Sequence, residues 1–219
     1  LASLFSFFIL AAFIMGGVGG TALAAGSAGT SLSNQAVGSH DNPGGGSSTT
    51  LSNPVALAIA AAAGIGVTPD DLVASGSVAP TPGILRRFLV TNLGNQDDSF
   101  RVTALTITAP ATVSGVFFDL NGDSVLDAAD PPVTVGATAS PPLPPGGSLG
   151  VLVSYSATGL PSGTQVVLGM SAETLQPGSA NGLASDVGTL RDQVGGGALF
   201  SDPANPGQPP LKTVNGAGH

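Results

Sequence analysis

A chain of 219 residues with a net charge of −8 and only 8% charged residues has no basic surface to displace counterions from a phosphate backbone, which excludes nucleic acid as a partner. Cysteine is absent, so disulfides, thiolate catalysis and zinc–thiolate sites are excluded together. Glycine (33) and proline (18) approach a quarter of the residues, yet 42% are hydrophobic, so a core is available and the Gly and Pro are left for turns and linkers.

Residues 1–25 carry no charge, and residues 4–15 form an apolar run. A Gly-rich break and Ala22-Leu23-Ala24-Ala25 follow, a small-residue cleavage pattern. This reads as the apolar and cleavage regions of a secretory signal peptide. The apolar run is short for a span of about 20 residues. The expectation is an exported protein, extracellular or on the cell surface, that meets a membrane only through this leader if it is uncleaved.

Strand character dominates the rest. Residues 31–39 and 51–62 flank the turn-rich Asp41-Asn42-Pro43-Gly44-Gly45-Gly46, and residues 26–63 are expected to form an N-terminal β-hairpin segment. Ala-rich 55–63 would favour helix, but Pro54, the Val55/Leu57/Ile59 alternation, Gly64 and Gly66 argue for strand. Further strands are expected at 84–92, 99–108, 112–119, 132–136, 148–157, 164–174 and 186–194. In two of these, Val151, Val153 and Tyr155, and Val166, Leu168, Met170 and Ala172, repeat with period two. Short strands and short turns predict an all-β, antiparallel, Ig-like β-sandwich over residues 64–196. Residues 197–219 read as a Pro/Gly-rich linker.

Chemistry concentrates at residues 119–130. Asp119, Asn121, Asp123, Asp127 and Asp130 occupy positions 1, 3, 5, 9 and 12 of a twelve-residue loop, and Val125 at position 7 offers a backbone carbonyl. This is the spacing with which EF-hand and dockerin loops gather six to eight oxygens around Ca2+. Gly122 stands at position 4 and Ser124 at position 6, and the last carboxylate is Asp rather than Glu. Pro131-Pro132 forbids an exit helix, so the expectation is a β-hairpin variant of such a site. The rival reading is a solvated loop of Asx turns. Two carboxylates about 5 Å apart in water repel by only ~0.8 kcal/mol, so repulsion alone decides nothing.

The string Val90-Thr91-Asn92-Leu93-Gly94-Asn95-Gln96-Asp97-Asp98-Ser99-Phe100 resembles the Val-Thr-Asn-x-Gly-Asn…Asp-x-Phe signature of bacterial and archaeal surface repeats, the family called domain of unknown function eleven. Residues 28–36 resemble the terminal strand of such repeats, and residues 65–70 with Pro80-Thr81-Pro82-Gly83 resemble the opening of the next unit. Lys212-Thr213-Val214 is similar to the start of a further repeat. The resemblance implies an Ig-like module whose partners are other surface-protein modules or identical subunits. Physically, the Asn92 string has a plainer reading: Gly94 and Asn95 at positive φ, Asp97 and Asp98 in solvent, and Phe100 anchoring the returning strand.

The remaining polar groups point to structure. Arg86-Arg87 should send its side chains to opposite faces, one to solvent and one to an edge or an Asp. Tyr155 is expected in the core, His40 in a turn, and Asp70/Asp71 have nothing that places them in a cleft. No enzyme is expected. The function expected is structural, namely spacing, assembly or adhesion on a cell surface, with Ca2+ stiffening one hairpin. The alternative is a fibre subunit that donates a segment such as 29–39 to a neighbour's sheet. A carbohydrate-binding module would need exposed aromatic platforms, and the chain has no Trp and one Tyr.

Overall fold

The structure, a computed structural model, describes residues 26–175 and 182–195, so the leader and the Pro/Gly-rich stretch with Lys212 lie outside the described residues. Four short strands come first: β1 (Ser31–Asn34), β2 (Val37–Asp41), β3 (Ser47–Leu51) and β4 (Val55–Ala58). Eight follow: β5 (Ile65–Thr68), β6 (Gly76–Val78), β7 (Ile84–Asn92), β8 (Phe100–Ile107), β9 (Thr112–Asp119), β10 (Ser148–Ser156), β11 (Gln165–Thr174) and β12 (Ser185–Val194).

The eight build two facing sheets, β5-β7-β10-β9 and β6-β12-β11-β8. This is an all-β, Ig-like sandwich. Its pairings are antiparallel except β6–β12, which is parallel. That exception follows from the divided first strand: β5 borders one sheet, and after residues 69–75 the chain crosses to border the other as β6, beside the last strand. Neither β5 nor β6 was among the expected strands, because each is too short to show a period.

The core follows the alternation read in β10 and β11. Val166, Leu168, Met170 and Ala172 are buried on one face of β11, and Val151, Val153 and Tyr155 on one face of β10. Phe88, Val90, Phe100, Val102, Val116 and Phe118 complete the layer, with the Phe100 and Phe118 rings edge to face at 5.8 Å. Leu152 breaks the alternation. It faces the other side of β10 and is still fully buried, between its register neighbours Arg87 and Phe117.

The strand expected at 132–136 does not form. Only a single bridge joins Pro132 to Phe117. Prolines at 131 and 132 have no N–H to give a ladder, so the segment makes scattered single bonds to two strands in place of a continuous pairing. The Pro131 carbonyl accepts from Phe118 N at 3.1 Å, Val133 N donates to Val116 O at 2.8 Å, and Gly136 N donates to Val102 O at 2.7 Å. Crossing from β9 to β8, the segment covers part of both outer edges, which protects them from pairing with other chains.

Residues 31–58 form a two-stranded arm in two pieces, β1–β4 and β2–β3. The expected single strand at 31–39 is broken because two residues (35 and 36) face three (52–54), a bulge at Pro54. Gln35 Nε2 bonds Ser52 O at 2.8 Å across the break, and Ser52 Oγ accepts from Ala36 N at 2.9 Å. Gly45 and Gly46 take φ of 87° and 90° at the tip, where Asn42 N donates to Gly46 O at 2.9 Å.

Candidate functional site

The loop at residues 119–130 leaves β9 and rests against the sandwich through its two ends. Asp119 lies beside Gly150 of β10 and is 1% exposed. Its Oδ2 accepts from Arg87 Nε at 2.7 Å, and no protein donor reaches its Oδ1. Gly150 makes the pair possible, since a Cβ there would stand 2.5 Å from Arg87 Nε and 2.7 Å from Asp119 Oδ2. At the other end, buried Asp130 closes the loop on itself. Its two oxygens accept from Leu120 N at 3.2 Å and from Asp127 N at 3.1 Å.

Between these clamps the structure brings together Asn121, Asp123 and Asp127. Asn121 Nδ2 donates to Asp123 Oδ2 at 3.0 Å and to Asp127 Oδ2 at 3.2 Å. Each side chain also caps backbone two residues on: Asn121 Oδ1 takes Asp123 N, Asp123 Oδ1 takes Val125 N, and Asp127 Oδ1 takes Ala129 N. These are Asx turns. Ser124 has a φ of 64°, the left-handed backbone that calcium loops reserve for glycine at this position. So two carboxylates and one amide converge at the exposed tip, while Asp119 and Asp130 serve the base. Among the described residues no three His, Asp or Glu side chains gather as a metal-holding group.

The Asn92–Phe100 string does different work from the turn expected of it. Neither Gly94 nor Asn95 takes positive φ. Gly94 is required by close approach, because a Cβ there would stand 2.7 Å from Ala62 O. Asn92 and Asn95 are both buried. Asn92 Nδ2 donates to Gln96 O and Leu143 O, each at 2.8 Å, and its Oδ1 accepts from Gly94 N at 2.8 Å. Asn95 holds the root of the arm. Its Nδ2 donates to Gly26 O at 3.2 Å and Ala60 O at 3.0 Å, and its Oδ1 accepts from Ala62 N at 2.8 Å. Its backbone adds two bonds, from Ala28 N and to Ala62 O, each 3.1 Å. Asp98, expected in solvent, is buried, accepts from Leu175 N at 3.3 Å and pairs through its backbone with Leu143.

The sequence signal for this clamp was present in the partner segment. Ala60-Ala61-Ala62-Ala63-Gly64 is a run without bulk, which lets this segment lie flat against the 93–95 turn.

Both arginines of the doublet find an aspartate. Arg87 goes outward to Asp119, so it is not the solvent-facing partner the alternation suggested. Arg86 goes inward and joins the two sheets, with Nε 2.9 Å and Nη2 3.0 Å from the Asp192 oxygens. The Tyr155 hydroxyl donates to the same carboxylate at 2.6 Å. Burial first, then the bond to Asp192 and its charge, push the phenol well above its usual value of 10.0, partly offset by Arg86. Asp71 binds Ser75 Oγ and Arg191 N, tying the 69–75 crossover to β12, and His40 lies exposed in β2.

No family model matches the chain, and no curated protein matches it. Solved structures do. A PapD-like domain of human CEP192 is similar over 59% of this chain and 84% of its own, at 12% identity and a TM-score of 0.34. The N-terminal domain of PorA is similar over 62% of this chain and all of its own, at 8% identity and a TM-score of 0.31. Vibrio cholerae VesB protease is similar over 59% of this chain and 31% of its own, at 16% identity and a TM-score of 0.30. These likenesses concern the β-sandwich fold alone.

Proposed function

We propose that the chain is an exported, non-enzymatic β-sandwich module of a cell-surface or extracellular protein, with a structural role in spacing or assembly. The observation that carries this reading is the Asn95 clamp. A spacer transmits geometry only if the segment that enters it is held at a fixed angle, and three side-chain bonds plus two backbone bonds hold both strands of the arm root on one turn. The sandwich supplies both halves of its first strand from its own residues, β5 and β6. This favours a self-contained module over a subunit whose sheet waits for a neighbour's segment. The leader pattern at residues 1–25 supports export.

Calcium at residues 119–130 is part of the proposal. Asn121, Asp123 and Asp127 would hold the ion at the loop tip, with the Val125 carbonyl and the Asp130 carboxylate nearest in sequence, and Asp119 would act through its pairing with Arg87. The ion would supply positive charge where two carboxylates already meet. Affinity in the range of extracellular modules, about 10⁻⁴–10⁻³ M, is expected.

Cell fractionation and surface protease treatment of the producing organism test the reading. A chain recovered with the cytosolic fraction overturns it, and a chain degraded on intact cells supports it.

A further inference from the structure

The tip of the 119–130 loop holds a reactive pair that the fold leaves open to water. Among the described residues, Asn121 is the one asparagine followed directly by glycine, and both residues are exposed. Glycine has no side chain to shield its backbone nitrogen, and a Cβ built on Gly122 would meet nothing within 4 Å. Gly122 N donates to no group among the described residues. A free backbone nitrogen next in the chain to an asparagine carboxamide is a nucleophile held beside its electrophile.

The neighbours of Asn121 prepare its carboxamide for that attack. Its Oδ1 accepts from Asp123 N at 3.3 Å, so a backbone donor already faces the oxygen on which negative charge develops. Its Nδ2, the group that leaves, donates to Asp123 Oδ2 at 3.0 Å and to Asp127 Oδ2 at 3.2 Å. Two carboxylates favour the positive charge that this nitrogen takes up as it gains a proton. Asn92 and Asn95, by contrast, are buried and are followed by Leu93 and Gln96, whose side chains crowd the same attack.

We propose that Asn121-Gly122 is a self-modification site, at which the loop tip converts its amide into a third carboxylate with time. Gly122 N bonds to Asn121 Cγ and closes a succinimide ring. The Cγ–Nδ2 bond breaks, and Nδ2 leaves as ammonia with the proton that Gly122 N gives up. One water then opens the ring, at Cγ to give aspartate or at the Asn121 carbonyl carbon to give isoaspartate. No other reactant is needed. Either product removes the Nδ2 that joins Asp123 to Asp127 and sets a further negative charge between them. The clamps at the base, Asp119 with Arg87 and Asp130 with the Leu120 and Asp127 amides, do not involve Asn121. The tip therefore opens while the sandwich stays closed. The inference goes beyond the module reading and holds with or without an ion in the loop.

Peptide mapping by mass spectrometry tests it, on the full chain aged in heavy-oxygen water with EGTA, so that the outcome is independent of calcium. Residue 121 should become a mixture of aspartate and isoaspartate carrying the heavy oxygen, while Asn34, Asn92 and Asn95 keep their amides. Conversion should be about tenfold faster in the folded chain than in urea, a small share of the roughly 10²–10³-fold that one well-aimed oxyanion donor contributes. Asn121→Gln, whose longer side chain disfavours ring closure, should not convert. Asn121→Asp should reproduce the aged chain, with faster proteolytic cutting within residues 121–127 and an unchanged sandwich melt. An amide that persists at residue 121 of the folded chain overturns the inference, as does conversion no faster than in urea. So does an Asn121→Asp loop that resists proteolysis as well as the fresh wild type.

Discussion

At the scale of single residues, three side chains do most of the holding. Asn95 makes three side-chain bonds to backbone at the arm root. Each such bond is worth about 0.5–1.5 kcal/mol, and a buried group left unpaired costs more. Asn95→Ala should therefore lower stability by about 2 kcal/mol in denaturant titration and open residues 59–64 to limited proteolysis. Asp192 is 1% exposed and serves Arg86 and Tyr155 together. Asp192→Ala should cost about 3–5 kcal/mol, because it strands an arginine in the space between the sheets. Tyr155→Phe should cost less and change the pH profile. The folded phenol ionises above its unfolded value of 10.0, so its contribution is complete below that pH and is lost as pH rises past it. The wild-type melting temperature should fall more steeply than that of Tyr155→Phe above that pH.

Among the elements, exposure separates what the fold needs from what it displays. Leu168 in β11 is fully buried and Leu57 in β4 is 67% exposed. Leu168→Ala should cost about 2–5 kcal/mol, while Leu57→Ala should change the sandwich melt by less than about 0.5 kcal/mol. The long strands were readable because a half-buried strand writes a period-two pattern, and β7, β9, β10, β11 and β12 stand within a residue of the ranges expected. The failures have a common cause. At 132–136 the apolar residues looked like a strand, but Pro131 and Pro132 remove two successive donors where a ladder would begin, and the segment becomes an edge cover instead. The loop at 119–130 displayed its ligand spacing in full. What no spacing could show is that Arg87 takes Asp119 and that backbone amides take Asp130. At its tip, Ser124 holds left-handed backbone at a cost of about 1–2 kcal/mol, so Ser124→Gly should raise stability by about 1 kcal/mol.

For the whole molecule, the test is calcium. If the proposed site is loaded at a hundredfold excess over its Kd, the fold should gain about 2.7 kcal/mol, lost again with EGTA. Identical melts in millimolar Ca2+ and in EGTA would remove the ion from the account and leave the loop closed by its Asx turns alone. The chain by itself determined the class of fold, since the recurring period-two runs, the turn residues between them and the lack of cysteine leave a β-sandwich with an apolar core. It also determined where oxygen-bearing side chains could gather, because their spacing is a local property. Only the tertiary structure decided the partners: Arg86 to Asp192, Arg87 to Asp119, and Asn95 to Gly26, Ala60 and Ala62. In each case the two groups lie more than thirty positions apart in the chain or on different sheets, and a hydrogen bond depends on angstroms in space that no one-dimensional pattern records.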